Sequence, residues 1–268
     1  MAGRNWSDLA PRLISGLVMV ALGLALIWAG GLWWRLGITL ICGGMVWELL
    51  RLIAPDRPAV AWQLAAVAAG CLLIATLVPP SFALPLLLAP SMAGLSLVPH
   101  KRTMFLTFTA MILLAGFGMI QLRNDMGLVW MAWLVAVVVV TDIAGYFAGR
   151  LIGGPKFWPR VSPKKTWSGT VAGWVGAALT GLLFGALTGS GVWLVGISVG
   201  LSMAAQMGDM AESATKRRIG VKDSSTLIPG HGGLLDRFDG MLGASLLLLV
   251  ARPLGALPVA ATLPGLGG

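Results

Sequence analysis

The stretch LVWMAWLVAVVVVTDIAGYFAGR, residues 128–150, decides the fold class. It is apolar and unbroken up to Asp142, and no basic residue appears before Arg150. About 20 such residues, wound as a helix, cross the hydrocarbon of a bilayer with every backbone amide satisfied internally. Working outward, comparable runs lie near 13–31, 32–53, 59–78, 82–98, 103–121, 169–188, 191–211 and 236–256. The expected fold is therefore all-α, a polytopic integral membrane protein with about nine transmembrane helices. Arg35, Glu48, Pro85, Pro90 and Arg252 make the second, fourth and ninth spans the least regular. The run 13–31 is long for the core of a secretory leader and is read as a retained helix. Pro79-Pro80, Pro99 and the Pro55/Pro58 pair punctuate the spans.

Composition agrees. Apolar residues make up 57 % of the chain and charged ones 11 %, with a mean hydropathy of +0.87, where a soluble domain carries about 25 % charge. The 37 glycines suit helices that pack closely in lipid. Cys42 and Cys71 sit apart in apolar runs and read as small buried hydrophobes. An N-terminus in the cytoplasm places all but Arg35, Arg123 and Arg252 of the 19 Lys and Arg on the cytoplasmic side. That orientation fixes a non-cytoplasmic C-terminus and puts loops 151–168 and 212–235 on the same face. The net charge of +9 then reflects topology and attraction to anionic headgroups. No nucleic-acid-binding motif accompanies it. Residues 1–125 are read as N-terminal transmembrane helices, and 126–268 as a C-terminal transmembrane catalytic region carrying the two cytoplasmic loops.

The charged residues concentrate in residues 208–239, GDMAESATKRRIGVKDSSTLIPGHGGLLDRFD, which hold five of the ten acidic residues. Asp209, Ser213 and Lys216 share one helical face, with Glu212 close by. Asp236 and Asp239 lie at i and i+3 where the last span begins. They are favoured there by the helix dipole alone. With Asp209 they would also form a hard-oxygen set for Mg²⁺. Pro229-Gly230-His231-Gly232-Gly233 breaks the helix and lets backbone amides approach a ligand. Upstream, Ser162-Pro163-Lys164-Lys165-Thr166 precedes a helix starting near Ser168. Two ammonium groups at a helix N-terminus make a phosphate site or a basic loop at the lipid surface. Glu48 is expected to pair with Arg51, three residues on.

The run Ser213-Ala-Thr-Lys216-Arg217, then Lys222-Asp223, then Pro229-Gly-His231-Gly-Gly-Leu-Leu-Asp236-Arg237-Phe-Asp239, closely resembles the signature of the phosphatidate cytidylyltransferases. Asp142, Gly145-Tyr146, Gly149-Arg150 and Ser162-Pro-Lys164-Lys165-Thr166-Trp167 are similar to that family's second conserved block. Ser168 departs from it, standing where many members have Glu. The resemblance covers about residues 142–240 and implies transfer of CMP from CTP to phosphatidate at a membrane. It further implies Asp209, Asp236 and Asp239 as ligands of Mg²⁺, with a monovalent cation such as K⁺ as companion. Ser213, Lys216, Asp236 and Asp239 would be the catalytic set. Ser162, Lys164, Lys165, Thr166, Arg217, Lys222, Asp223, His231 and Arg237 would bind substrate. The implied partners are CTP, phosphatidate and the bilayer, without nucleic acid; the glycine-rich spans are compatible with a homodimer. The expected location is a bacterial inner membrane, with the active site facing the cytoplasm. Two other classes stay in view: an ion-coupled transporter, from Glu48 and Asp142 within spans, and a CTP-dependent lipid kinase. A CDP-alcohol phosphotransferase would need a DGxxAR-type motif, which this sequence lacks.

Overall fold

The computed structural model describes residues 9–98 and 100–252. Arg4, Pro99, positions 253–256 of the expected ninth span and both chain ends lie outside them. The described residues form α1 (Leu9–Ala29), α2 (Gly31–Ile53), α3 (Pro58–Ala75), α4 (Pro80–Leu97), α5 (Arg102–Met126), α6 (Leu128–Leu151), β1 (Lys156–Trp158), β2 (Ser162–Thr166), α7 (Trp167–Thr188), α8 (Trp193–Ile219) and α9 (Leu235–Ala251). Eight of these helices, α1 to α8, are long and apolar enough to cross a membrane. The chain is an all-α, polytopic integral membrane protein.

Two local features differ from expectation. The basic loop 151–168 contains a small antiparallel hairpin, with Lys156 opposite Thr166 and Trp158 opposite Ser162. Its short polar run alternates too briefly to be read as strand. The loop expected from residue 212 begins only after Ile219, because α8 continues through the charged segment. Glu212 and Lys216 pair one turn apart at 2.7 Å and support that extension.

The chain folds as two compact units. The first comprises residues 1–113 and 219–238. Its core joins α2, α3, α4 and the first part of α5 through Ile38, Met45, Leu49, Leu72, Leu87 and Phe105. Cys42 is buried there, and both cysteines are free thiols. The segment 219–238, late in the sequence, packs in this early unit. The second unit comprises residues 114–218 and 239–268. Here α6 and α7 lie so close that a Cβ on Gly169 would come 2.5 Å from the Gly145 carbonyl oxygen. Buried polar links tie α6 to α8: Trp133 Nε1 donates to Ser198 Oγ at 3.0 Å, and Thr141 Oγ1 to Ser202 Oγ at 2.9 Å. Such bonds have no water to compete with in a bilayer interior. The apolar side chains of Leu17, Leu24, Trp28, Leu40, Leu179 and Leu183 are exposed, as lipid-facing residues must be.

Candidate active site

The second unit builds a cavity of about 520 Å³ from α6, β1, β2, α7 and α8. Helix α6 supplies Asp142, Tyr146 and Arg150, β2 supplies Lys164 and Lys165, and α8 supplies Gln206 and Asp209. Thr166 joins β2 to α7. Its backbone is extended, and its hydroxyl accepts from the Gly169 amide at 3.2 Å, so it is the N-cap of α7. That cap fixes where the hairpin ends and hence where the two lysines emerge. Ser162 opens β2 opposite Trp158. The Ser168 hydroxyl, where the family pattern has Glu, donates to the Gly153 carbonyl and lies 3.0 Å from Thr166 Oγ1.

The charges of this unit converge. The Lys165 ammonium pairs with Asp209, whose Oδ1 also accepts from Ser213 Oγ at 3.2 Å. Asp239, on α9, interacts electrostatically with Asp209, Asp142 and Lys165. Its Oδ1 accepts from the Gly240 amide at 2.7 Å. The backbones of α8 and α9 approach so closely here that a Cβ on Gly208 would sit 3.0 Å from the Gly243 nitrogen. Among the described residues, no three His, Cys, Asp or Glu are grouped as a ready-made metal cage. Mg²⁺ is commonly held by one or two carboxylates together with substrate phosphates. Asp209, already paired with the Lys165 ammonium, and Asp239, within the electrostatic reach of both, fit that manner of binding.

The first unit holds the other part of the signature. Lys222, Asp223 and Arg237 are exposed. His231 turns its Nδ1 to Ser15 Oγ of α1, 2.8 Å away, while its amide donates to the Ile228 carbonyl at 2.9 Å. Gly230 and Gly232 have φ of +76° and +80°, conformations costly for any other residue type. Asp236 is buried in the first turn of α9. Its Oδ2 accepts three hydrogen bonds at 2.8 Å, from Ser224 N, Ser224 Oγ and Gly233 N. Glu48 of α2 lies beneath the same loop. It does not pair with Arg51, which instead donates to the Pro55 carbonyl at 3.5 Å. Its carboxylate accepts from Ser225 Oγ, Leu234 N and Leu235 N. The expected Glu48–Arg51 pair is thus replaced by long-range bonds to residues 225–235.

The remaining cations are distributed. Lys216 is engaged with Glu212. Arg217 and Arg218 line a separate groove of the second unit with Arg160, Trp158 and Met207. The structure therefore joins Lys164, Lys165, Thr166 and Asp209 in one cavity, with Ser213 and Asp239 against Asp209. Lys222, Asp223, His231, Arg237 and Asp236 belong to the other unit. Ser224, Ser225, Gln206 and Ser15 had no assigned part in the sequence reading. Gln206 carried a signal, as a lone amide in an apolar span. It receives Trp174 Nε1 at 3.0 Å and donates to the Thr170 carbonyl at 3.2 Å.

Comparison with known proteins bears on these residues. The cytidylyltransferase family model matches residues 10–252. The chain belongs to the cytidylyltransferase family. A relative named phosphatidate cytidylyltransferase, from Brucella suis biovar 1, is 37 % identical over 265 residues, covering 94 % of this chain and 96 % of its own. Proteins of the same name from Bacillus subtilis and Helicobacter pylori are 41 % and 39 % identical over 128 and 132 residues, about half of each chain. A cytidylyltransferase uses a nucleoside triphosphate, and the cavity's juxtaposed carboxylates and lysines suit one.

Proposed function

We infer that this chain is a phosphatidate cytidylyltransferase, moving CMP from CTP to phosphatidate and releasing pyrophosphate in phospholipid biosynthesis. The observation that carries the reading is the Lys165–Asp209 pair, in a cavity of a membrane protein that matches a relative of that name over 94 % of its length. A phosphatidate phosphate oxygen forms a bond to the α-phosphorus of CTP as the bond to the bridging oxygen of pyrophosphate breaks. The nucleophile is already anionic at neutral pH, so no side chain need remove a proton. Rate then depends on alignment and on neutralising charge. Lys164 and Lys165 supply fixed positive charge at the cavity wall. Thr166 holds them by capping α7. Asp209 orients Lys165 and Ser213.

Asp209 and Asp239 would hold Mg²⁺ in the second unit. When bound, Mg²⁺ supplies positive charge to the phosphoryl oxygens that are attacked and expelled. Asp236, and a companion K⁺, are assigned to the ion centre by the motif resemblance alone. Ser213 and Lys216 are proposed as catalytic, and Ser162, Arg217, Lys222, Asp223, His231 and Arg237 as substrate-binding, on the same ground. The bacterial relatives favour a bacterial inner-membrane location, the basic-residue asymmetry supports a site facing the cytoplasm, and the glycine-rich spans are compatible with a homodimer.

The test is purified protein in detergent with radiolabelled CTP, phosphatidate and Mg²⁺, followed by chloroform extraction. Label should enter the lipid phase only when phosphatidate is present. Chelation of the divalent ion should abolish transfer, and added Mg²⁺ restore it. Lipid labelling that persists in excess chelator would remove the metal from the proposal.

A further inference from the structure

Among the described residues, Glu48 is a fully buried carboxylate of the first unit that lies outside the two sequence motifs. Its side chain, on α2, is 0 % exposed. Three donors bind it and a further hydroxyl lies close, all from residues 224–235. Ser225 Oγ and the Leu234 amide donate to Oε1 at 2.6 and 2.9 Å. The Leu235 amide donates to Oε2 at 2.9 Å, and Ser224 Oγ lies 3.3 Å from the same oxygen. Leu234 immediately precedes α9 and Leu235 begins it, and the first amides of a helix have no partner within it. Glu48 accepts them from another helix, at the positive end of the dipole. Ser224 Oγ stands between Glu48 and Asp236, so the two carboxylates grip one loop from either side.

The packing is shaped for this contact. A Cβ on Gly233 would sit 2.6 Å from Glu48 Oε1 and 2.7 Å from Oε2, and one on Gly44, a turn before Glu48, 2.6 Å from Leu234 Cδ1. Loop and helix touch where only glycine leaves room. Lys222, Asp223 and His231 are carried by this loop.

We propose that Glu48 is a positioning residue for the loop that carries Lys222 and His231: it fixes the backbone of residues 224–235, and so the way these two side chains are presented to substrate. The second half of this statement rests on the cytidylyltransferase reading; the first does not. Glu48→Gln keeps the shape but turns one acceptor into a donor facing donors. The experiment combines two readouts on full-length protein in detergent. Limited trypsin digestion compares cleavage at exposed Lys222 with cleavage at exposed Arg160, which lies in the hairpin of the other unit. Steady-state kinetics give kcat and KM for CTP.

In Glu48→Gln, cleavage at Lys222 should accelerate about tenfold while Arg160 is unchanged, since proteolysis follows local opening. KM for CTP should rise about tenfold or more, with KM for phosphatidate within about twofold, a split that general destabilisation would not produce. Ser225→Ala should do the same more weakly, and the double variant should be no worse than Glu48→Gln alone. Unchanged cleavage at Lys222 overturns the proposal, as does equal acceleration at both sites or additive effects in the double variant. A loosened loop with unaltered CTP kinetics overturns the positioning role. A wild-type protein without transfer activity would contradict the function while the digestion still reads the loop.

Discussion

Asp209 is held from two sides, by the Lys165 ammonium and the Ser213 hydroxyl, and its charge is felt by Asp239 of α9. Removing its charge while keeping its shape separates electrostatics from packing. Asp209→Asn should lower turnover about 10²-fold or more, as loss of a large electrostatic contribution does. Insertion and the melting midpoint in detergent should stay near wild type. Turnover above a tenth of wild type at saturating CTP would exclude Asp209 as an ion ligand. Asp236→Asn asks a different question, because Asp236 Oδ2 accepts from three donors. As a helix-start acceptor alone, Asn would cost about 1 kcal/mol of stability, read from thermal unfolding, and little turnover. An ion-ligand role adds a drop of about 10²-fold in turnover at the same stability. At this scale the sequence was partly legible. Asp209, Lys165 and Asp236 stood out as charges beside membrane spans, which are costly unless used. That Lys165 meets Asp209, or Glu48 the start of α9, was not. Those pairings cross 44 and about 187 positions of chain, whereas local spacing shows only neighbours such as Glu48 and Arg51.

Helices were the most legible elements, because lipid forces long apolar runs to be helical. The ends that carry function were less so. The β1–β2 hairpin is only 3 and 5 residues long and polar, too short for periodicity to show. The eight extra residues of α8 came from an i,i+4 ion pair that a hydropathy reading treats as loop. The close approach of α8 and α9 sets the distance between Asp209 and Asp239, and it depends on glycine. A Cβ on Gly243 would fall against the Ala204 carbonyl and 3.1 Å from the Gly208 nitrogen, backbone atoms that cannot rotate away. Gly243→Ala should therefore destabilise by about 1–3 kcal/mol by overpacking. It should also cut turnover more than about tenfold, since small misplacements of reacting groups are costly. Melting and turnover of the purified variant check both. A variant that matches wild type in each would show that the helices do not need this contact.

On the scale of the whole molecule, the uneven placement of Lys and Arg is the strongest statement the sequence makes. All but Arg35, Arg123 and Arg252 fall on one predicted side. Single cysteines introduced in loops 151–168 and 220–234 should both be labelled from the cytoplasmic face of intact cells' membranes. Labelling from opposite faces would contradict the topology. The central claim is chemical: the α-phosphorus of CTP moves to a lipid phosphate. The most direct measurement runs parallel reactions with CTP labelled at the α- or the γ-phosphorus, phosphatidate and Mg²⁺. The α-label should enter the chloroform phase as CDP-diacylglycerol, while γ-label stays in water as pyrophosphate. Entry of γ-label into lipid with release of CDP, or no lipid label from either position, would contradict it.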